Sequence, residues 1–363
     1  MKISIGSHIV KGPWGGGNLF IVNLSNYLIG KGHEVYFDLS QKDIDLILLT
    51  DPRINDSPSS SFDHLDIEFY LKYVNPNAAV VHRINECDER KNTSGLNSFY
   101  IEASKVADKI VFVSNWLKNL YVEQGIKEDK SSVILSGSDK EIFNSALNSK
   151  WNKKEKIRLI THHWSANIHK GYETYKKIDN MLDNPKWNNL IEFTYVGNIS
   201  DDFEFKNTKV IEPKSGKELS SILKKSHVYV TGSINEPSGN HHIEAAQCGL
   251  PILFLKSGGL IEYCEGFGVG FDNDNFEIKL EEMIKDYDYF YNKMAKYVLD
   301  SDKMSQEFLD LFKYLISIKM KSPKQFKKNF KGYLFTKTQK FKSLKYHIKV
   351  NLKLIIKSLY VSN

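Results

Sequence analysis

Short apolar runs, each closed by polar or glycine-rich residues, recur along the chain and alternate with helix-length amphipathic segments. Residues 2–10 read as a first strand, followed by "KGPWGGGN" and a segment with Leu19, Phe20, Val22, Leu24, Tyr27 and Leu28 on its apolar side. "GKGHEVYF" ends that helix on glycine and opens a second strand; "IDLILLTD", "NAAVVHRIN", "DKIVFVSNW" and "SSVILSGSD" are further strands. The pattern pauses over residues 144–156, "NSALNSKWNKKEK", a linker. It then restarts with "IRLITHHWS", "LIEFTYVGN", "HVYVTGS", "GLPILFL" and "FGVGF". Strands that are apolar throughout belong to parallel sheets covered by helices on both faces. Polar residues sit at their C-terminal ends, where open α/β sheets place ligands. The expected fold is α/β, with two Rossmann-like domains, residues 1–145 and 146–302, facing across a cleft. A helix over residues 303–320 can cross back to the first domain, and residues 321–363 form a basic amphipathic tail. The length of 363 residues agrees with two cores, since one core rarely grows beyond ~250–300 residues.

Charge separates the tail from the body. Of the net +6, the segment from Leu311 to Asn363 contributes +14 through its 14 lysines and no acid, leaving −8 for the rest. At helical spacing, Lys342, Lys345, Lys349, Lys353 and Lys357 share one side, and Phe341, Leu344, Ile348, Leu352, Ile355 and Leu359 form a stripe roughly opposite. Such a helix from Phe341 onward suits an anionic membrane surface. A terminal helix packed on the body is the alternative. Specific nucleic-acid binding is not expected without arginines or a base-reading motif, although charge alone permits weak nonspecific contact. Cys87, Cys248 and Cys264 have no ligand spacing, which argues against a disulfide framework or a structural zinc and fits a reducing compartment. The start of the chain is too short and strand-like for a signal peptide, and no run approaches the ~18 apolar residues of a spanning helix. The expectation is a cytoplasmic protein, peripheral at the inner face of a membrane.

The chemistry concentrates in "SINEPSGNHHIEAAQCGLPILFL", residues 233–255. A buried strand runs into a Pro-Ser-Gly turn, and "HHIEAAQCG" is a helix ending on Gly249, so Asn240, His241 and His242 fall at its first turn. Unpaired N–H groups and the positive end of the dipole there form an anion site suited to a diphosphate. Glu244 lies one turn further in and Glu236 on the loop opposite, placed to accept hydrogen bonds from sugar hydroxyls. Each glutamate alone is as easily a surface or capping charge; here spacing, turn and helix start agree.

The stretch resembles the Glu-x7-Glu signature of the retaining family 4 glycosyltransferases, which have the GT-B fold. Glu236, Pro237, Gly239, Glu244, Ala245, Gly249, Pro251, Gly258, Gly259 and Glu262 are all in register with it. The resemblance implies that Glu244 grips the ribose of a nucleotide-sugar donor and Glu236 contacts the donor sugar. The backbone from Gly239 through Asn240 to His241 contacts the phosphates. It extends to about residue 320. "GPWGGGN", with Gly15, Gly16 and Gly17, is similar to the first glycine-rich loop near donor phosphate and acceptor, and "SGSDKEIF" resembles a domain-boundary element with Ser136 in place of Asn. His82 stands where the family has a histidine beside the donor sugar, in a run dense with Arg83, Asn85, Glu86, Asp88, Glu89 and Arg90; a structural histidine and a surface charge cluster are the alternatives. In "THHWSANIHKGYETY", Lys170 matches a lysine that neutralises the leaving diphosphate, but Ser165 occupies the place of its partner arginine. His162, His163 or His169 could replace that charge, in which case activity would fall as they deprotonate near pH 6.5.

The resemblance implies a hexosyl-type transferase that retains anomeric configuration with no metal and no cofactor beyond the nucleotide-sugar substrate. The acceptor is expected to be a glycan or lipid-linked sugar of bacterial surface polysaccharide synthesis, a choice suggested by the tail alone. A sugar-nucleotide epimerase on the same architecture, or a binding protein without chemistry, stays open because fold does not determine function. "DND" at Asp272–Asp274 reads as a solvated loop, and the three histidines of 162–169 lack zinc-hydrolase spacing.

Overall fold

The computed structural model describes residues 1–10, 15–54, 59–200, 203–325 and 329–361, with side chains of the final helix described only as far as Ile348. Gly12, Pro13 and Trp14 of the glycine-rich stretch lie outside these residues.

Two parallel six-stranded sheets form the frame. The first contains β1 (Lys2–Ile5), β2 (Glu34–Tyr36), β3 (Leu46–Leu49), β4 (Ala79–Ile84), β5 (Lys109–Phe112) and β6 (Ser131–Val133), in the order β2-β1-β3-β4-β5-β6. The second contains β7 (Ile157–His163), β8 (Ile191–Gly197), β9 (Lys209–Ile211), β10 (Val228–Thr231), β11 (Ile252–Leu255) and β12 (Gly268–Phe271), in the order β12-β11-β10-β7-β8-β9. β3 and β4 are buried at every residue, because helices cover both faces of the sheet. The strand order reverses beside β1 in one sheet and between β7 and β10 in the other. Crevices open at the carboxyl ends of strands at such points.

The helix Ser301–Lys321, begun by Asp300 accepting from Lys303 N at 2.8 Å, lies on the first sheet's helix Gly16–Gly30. Its Met304, Phe308, Leu309 and Phe312 are buried with Ile3, Phe20 and Leu24. Phe308 meets Phe20 with ring centroids 5.2 Å apart, and Tyr27 Oη donates to Gln306 at 2.6 Å. The chain therefore returns to its first domain after completing the second.

Two further contacts join the halves. Glu262, on the short helix Leu260–Cys264, accepts from the backbone N–H of Asn115 at 2.8 Å and of Trp116 at 2.7 Å. A carboxylate there meets the positive end of the helix Asn115–Glu123. Tyr263 Oη accepts from Ser136 N at 2.9 Å and donates to Val113 O at 2.5 Å.

The final helix begins at Phe330 rather than Phe341 and runs to Val361. It lies antiparallel along the helix His64–Tyr73: Asn329 reaches Tyr73 O, Phe335 stacks on Phe69 at 4.8 Å, and Gln339 donates to Asp66 at 2.9 Å. Further on, Tyr346 stacks on His8, in the segment that follows β1. Phe341, Leu344 and Ile348 point away from this contact and are more than half exposed. Among the described residues no helix is long and apolar enough to cross a membrane.

Candidate active site

Topology assembles the site. Lys170 follows β7 on a short 3-10 turn, and Glu236 follows β10, the strand next to β7 on the reversing side. Lys170 Nζ meets Glu236 Oε2 at 2.6 Å. The other carboxylate oxygen, Oε1, faces Arg90 Nε at 3.8 Å, and Arg90 comes from the first domain, on the single-turn helix Asp88–Lys91. Glu86 stands behind Arg90 at 3.6 Å. Burial alone would raise the Glu236 pKa, but Lys170 and Arg90 outweigh it and hold the carboxyl down at about 2. Burial and the charge of Arg90 lower Lys170, opposed by Glu236. Glu236 is thus an anion throughout the neutral range.

The turn before the helix Asn240–Gln247 is shaped by Gly239, whose φ of +78° is disfavoured for other residues. A Cβ there would stand 2.7 Å from His241 Cε1 and 3.0 Å from both Glu236 Cγ and His242 Cε1. The missing side chain lets the loop carrying Glu236 lie directly against the helix start. Gly258, with a Cβ position 2.7 Å from the Glu236 backbone N, braces the loop from the other side, and Gly259 N donates to Glu236 O at 2.8 Å.

Glu244 accepts from His162 Nε2 at 2.9 Å, which requires the proton on that nitrogen. Tyr175 Oη already accepts from Thr161 and from Gly232 N, so it donates to His163 Nε2 at 2.6 Å and leaves the proton on Nδ1. His241 Nε2 lies 3.1 Å from Thr231 Oγ1. Buried but unpaired side-chain atoms collect around these groups: Nδ1 of His162 and His163, both nitrogens of His242 and Oγ of Ser233. A buried donor or acceptor left unsatisfied costs about 1–3 kcal/mol, so a cluster of them marks a place a polar ligand completes.

The structure places the remaining expected residues as follows. Gly15 precedes the helix Gly16–Gly30, and a Cβ on Gly16 would stand 3.1 Å from the Asn240 side chain, so the glycine-rich loop abuts the start of the helix Asn240–Gln247. Gly17 faces open space on the exposed side. Ser165 is half-buried and accepts from Asn167 N at 3.3 Å. Asp272, Asn273 and Asp274 form an exposed turn, with Asp272 paired to Lys256.

His82 is not brought to these groups. It is fully enclosed in the first domain, with Nδ1 2.9 Å from Ser104 Oγ and its ring edge-on to Tyr100. Strand alternation is the reason: the neighbouring Arg83 faces the other side of the sheet, with its guanidinium 3.8 Å from the Phe20 ring. Burial pushes the His82 pKa down to about 3. Of His162, His163 and His169, the three histidines expected as a replacement cation, His163 is disfavoured as a charged group. Burial, then Lys170, hold His163 well below its ordinary value, and burial with neighbouring histidines does the same to His241. Charge at the site resides on Lys170 and Arg90 instead. Arg90, His242 and Glu262 had no individual role in the reading of the sequence; the charged run "ECDER" was the signal for the first.

Comparison with solved structures places the fold. Sucrose-phosphate synthase from Thermosynechococcus elongatus matches with a TM-score of 0.62 at 14% identity, over 87% of this chain and 99% of that one. Anabaena HepE in complex with UDP and glucose matches with a TM-score of 0.62 at 14% identity, over 86% of this chain and all 100% of its own. An Escherichia coli structure described as trehalose-6-phosphate bound with UDP-2-fluoro glucose gives 0.58 at 10% identity, over 86% and 99%. The fold is that of the GT-B glycosyltransferases. Residues 192–298, which contain Glu236, Glu244 and Glu262, match the family model of glycosyl transferases group 1. No curated protein sequence matches the chain.

Proposed function

We propose that this chain is a retaining glycosyltransferase that moves a hexosyl group from a nucleotide-sugar to a glycan or lipid-linked acceptor, without a metal ion, in surface polysaccharide synthesis. The observation that carries this reading is the Lys170–Glu236–Arg90 set beside the helix start at Asn240, ringed by buried polar atoms that lack partners. The helix N-terminus and Lys170 receive the diphosphate, Glu244 and His162 the ribose, and Glu236 the sugar hydroxyls. The anomeric carbon–oxygen bond breaks with its electron pair passing to the diphosphate, and the acceptor hydroxyl oxygen bonds to the same carbon on the same face. The hydroxyl proton ends on the departing diphosphate. Fixed cations stabilise the charge that develops there, in a site already organised for it.

Support for a membrane-bound acceptor comes from the final helix. Its exposed Phe341, Leu344 and Ile348 flank Tyr346, which stacks on His8 after β1. Lipid contact along that stripe would hold the first domain at the surface.

The test is a thermal-shift panel of UDP-, GDP-, ADP- and CMP-sugars, followed by assay of nucleotide release with EDTA present. One donor should raise the melting temperature, as a ligand of the folded state must, and turnover should survive chelation. Saturable binding with no nucleotide release would instead establish a binding protein. An isomerised donor without acceptor would establish an epimerase.

A further inference from the structure

The cations around Glu236 come from both domains. Lys170 belongs to the second and Arg90 to the first, and each addresses a different oxygen of the one carboxylate. Around them, Lys91 pairs with Glu86 at 3.2 Å, and Glu86 also faces Arg90 at 3.6 Å. Lys91 is about a third exposed, so the buried groups balance, Lys170 and Arg90 against Glu236 and Glu86; Arg90, however, meets both carboxylates only at 3.6 and 3.8 Å, beyond hydrogen-bond distance. A buried guanidinium with no close partner is unfavourable, and His163 and His242, whose pKa values burial lowers, bring no competing positive charge. An incoming anion is the missing partner.

Arg90 is also held firmly. Its one-turn helix is fixed by Asp88, which accepts from the backbone N–H of Leu96 at 3.1 Å and of Asn97 at 2.9 Å, and ends on Asn92 in the left-handed region at φ 55°. Asn235, immediately before Glu236, donates across the cleft to Glu89 O at 3.2 Å. The loop bearing Glu236 is therefore tied to the turn bearing Arg90.

We propose that Arg90 is the second cation of the leaving-group site, supplied by the first domain, so that the site is complete only when the two domains are closed. The proposal rests on the transferase reading above. Donor binding to the second domain alone would meet Lys170 and the helix N-terminus. Closure then adds Arg90 where the departing diphosphate gains its extra negative charge. An open enzyme would lack half of that stabilisation, which protects the donor from hydrolysis until the acceptor domain is in place.

The experiment measures, by calorimetry, the affinity of wild type, Arg90→Gln and Arg90→Lys for nucleoside diphosphates and the matching monophosphates. Uridine, guanosine and adenosine forms are used as probes. A charge-assisted contact to the terminal phosphate predicts that Arg90→Gln weakens the diphosphate by about tenfold to a hundredfold while the monophosphate changes by less than about threefold. Arg90→Lys should recover most of the loss. At saturating donor, the turnover number of Arg90→Gln should fall by about a hundredfold or more. A residue that merely positions Glu236 would not separate diphosphate from monophosphate. Unchanged diphosphate affinity, or equal losses for both nucleotides, overturns the assignment of Arg90 while leaving donor binding by the wild type intact. A wild type that binds none of the three bases overturns the transferase reading, and this proposal with it.

Discussion

Replacing Gly239 by alanine tests whether the turn between β10 and the helix Asn240–Gln247 holds the site together. Two effects act at once. The backbone sits at φ +78°, a conformation that costs a non-glycine residue about 1–3 kcal/mol. The new methyl would also stand 2.7 Å from His241 Cε1 and 3.0 Å from Glu236 Cγ. Ordinary carbon contacts lie near ~3.5–4.0 Å, so these groups must retreat by roughly 1 Å. Misplacement on that scale costs on the order of a hundredfold in function. Gly125→Ala separates the two effects, because Gly125 has φ +113° but nothing within 4 Å of its Cβ position. Differential scanning calorimetry and titration with the donor identified in the panel are the assays. Both variants should melt about 2–4 °C lower per kcal/mol of strain, but only Gly239→Ala should lose donor affinity. Wild-type donor binding by Gly239→Ala, or equal loss in both variants, would refute the reasoning.

Glu244→Ala should weaken the donor by about tenfold to a hundredfold, as loss of a charge-assisted bond predicts; a 2′-deoxyribose donor should then lose little more, measured by calorimetry. Acid should destabilise the fold before it touches the ion set. His82 and His242 have folded pKa values of about 3, so below their unfolded value of about 6.5 the unfolded chain binds more protons and stability falls. Between pH 7 and 5 the loss is about 2 kcal/mol for each, read from denaturant midpoints; a flat profile there would show that they titrate normally. The contribution of Glu236 has the other window: it is present above the unfolded carboxyl value and is lost as pH falls toward about 2. Deleting residues 341–363 should preserve donor binding, because the docking contacts of Phe335 and Gln339 remain. It should also reduce co-sedimentation with anionic vesicles, since each lysine near such a surface contributes on the order of 1 kcal/mol. Equal sedimentation of both forms would favour a helix that serves only to pack.

The sequence by itself determined the frame. Eleven of the twelve strands announce themselves as apolar runs between helical segments, because a strand buried on both faces has no polar side to hide. β9 does not, being a three-residue edge strand with two exposed residues. The Glu236–Glu244 signature was legible for the same local reason: turn, helix start and spacing lie within one continuous stretch. What the tertiary structure alone decided is which distant groups meet it. Whether His82 or Arg83 faces the side of the first sheet covered by the helix Gly16–Gly30 depends on strand register, which flips every side chain with a one-residue shift. That Arg90 reaches Glu236, that His162 orients Glu244, and that Glu262 caps a helix of the other domain all depend on how two sheets close on each other. The lowered pKa values of His82, His163, His241 and His242 follow from burial. No residue pattern reveals burial until the chain has folded around it.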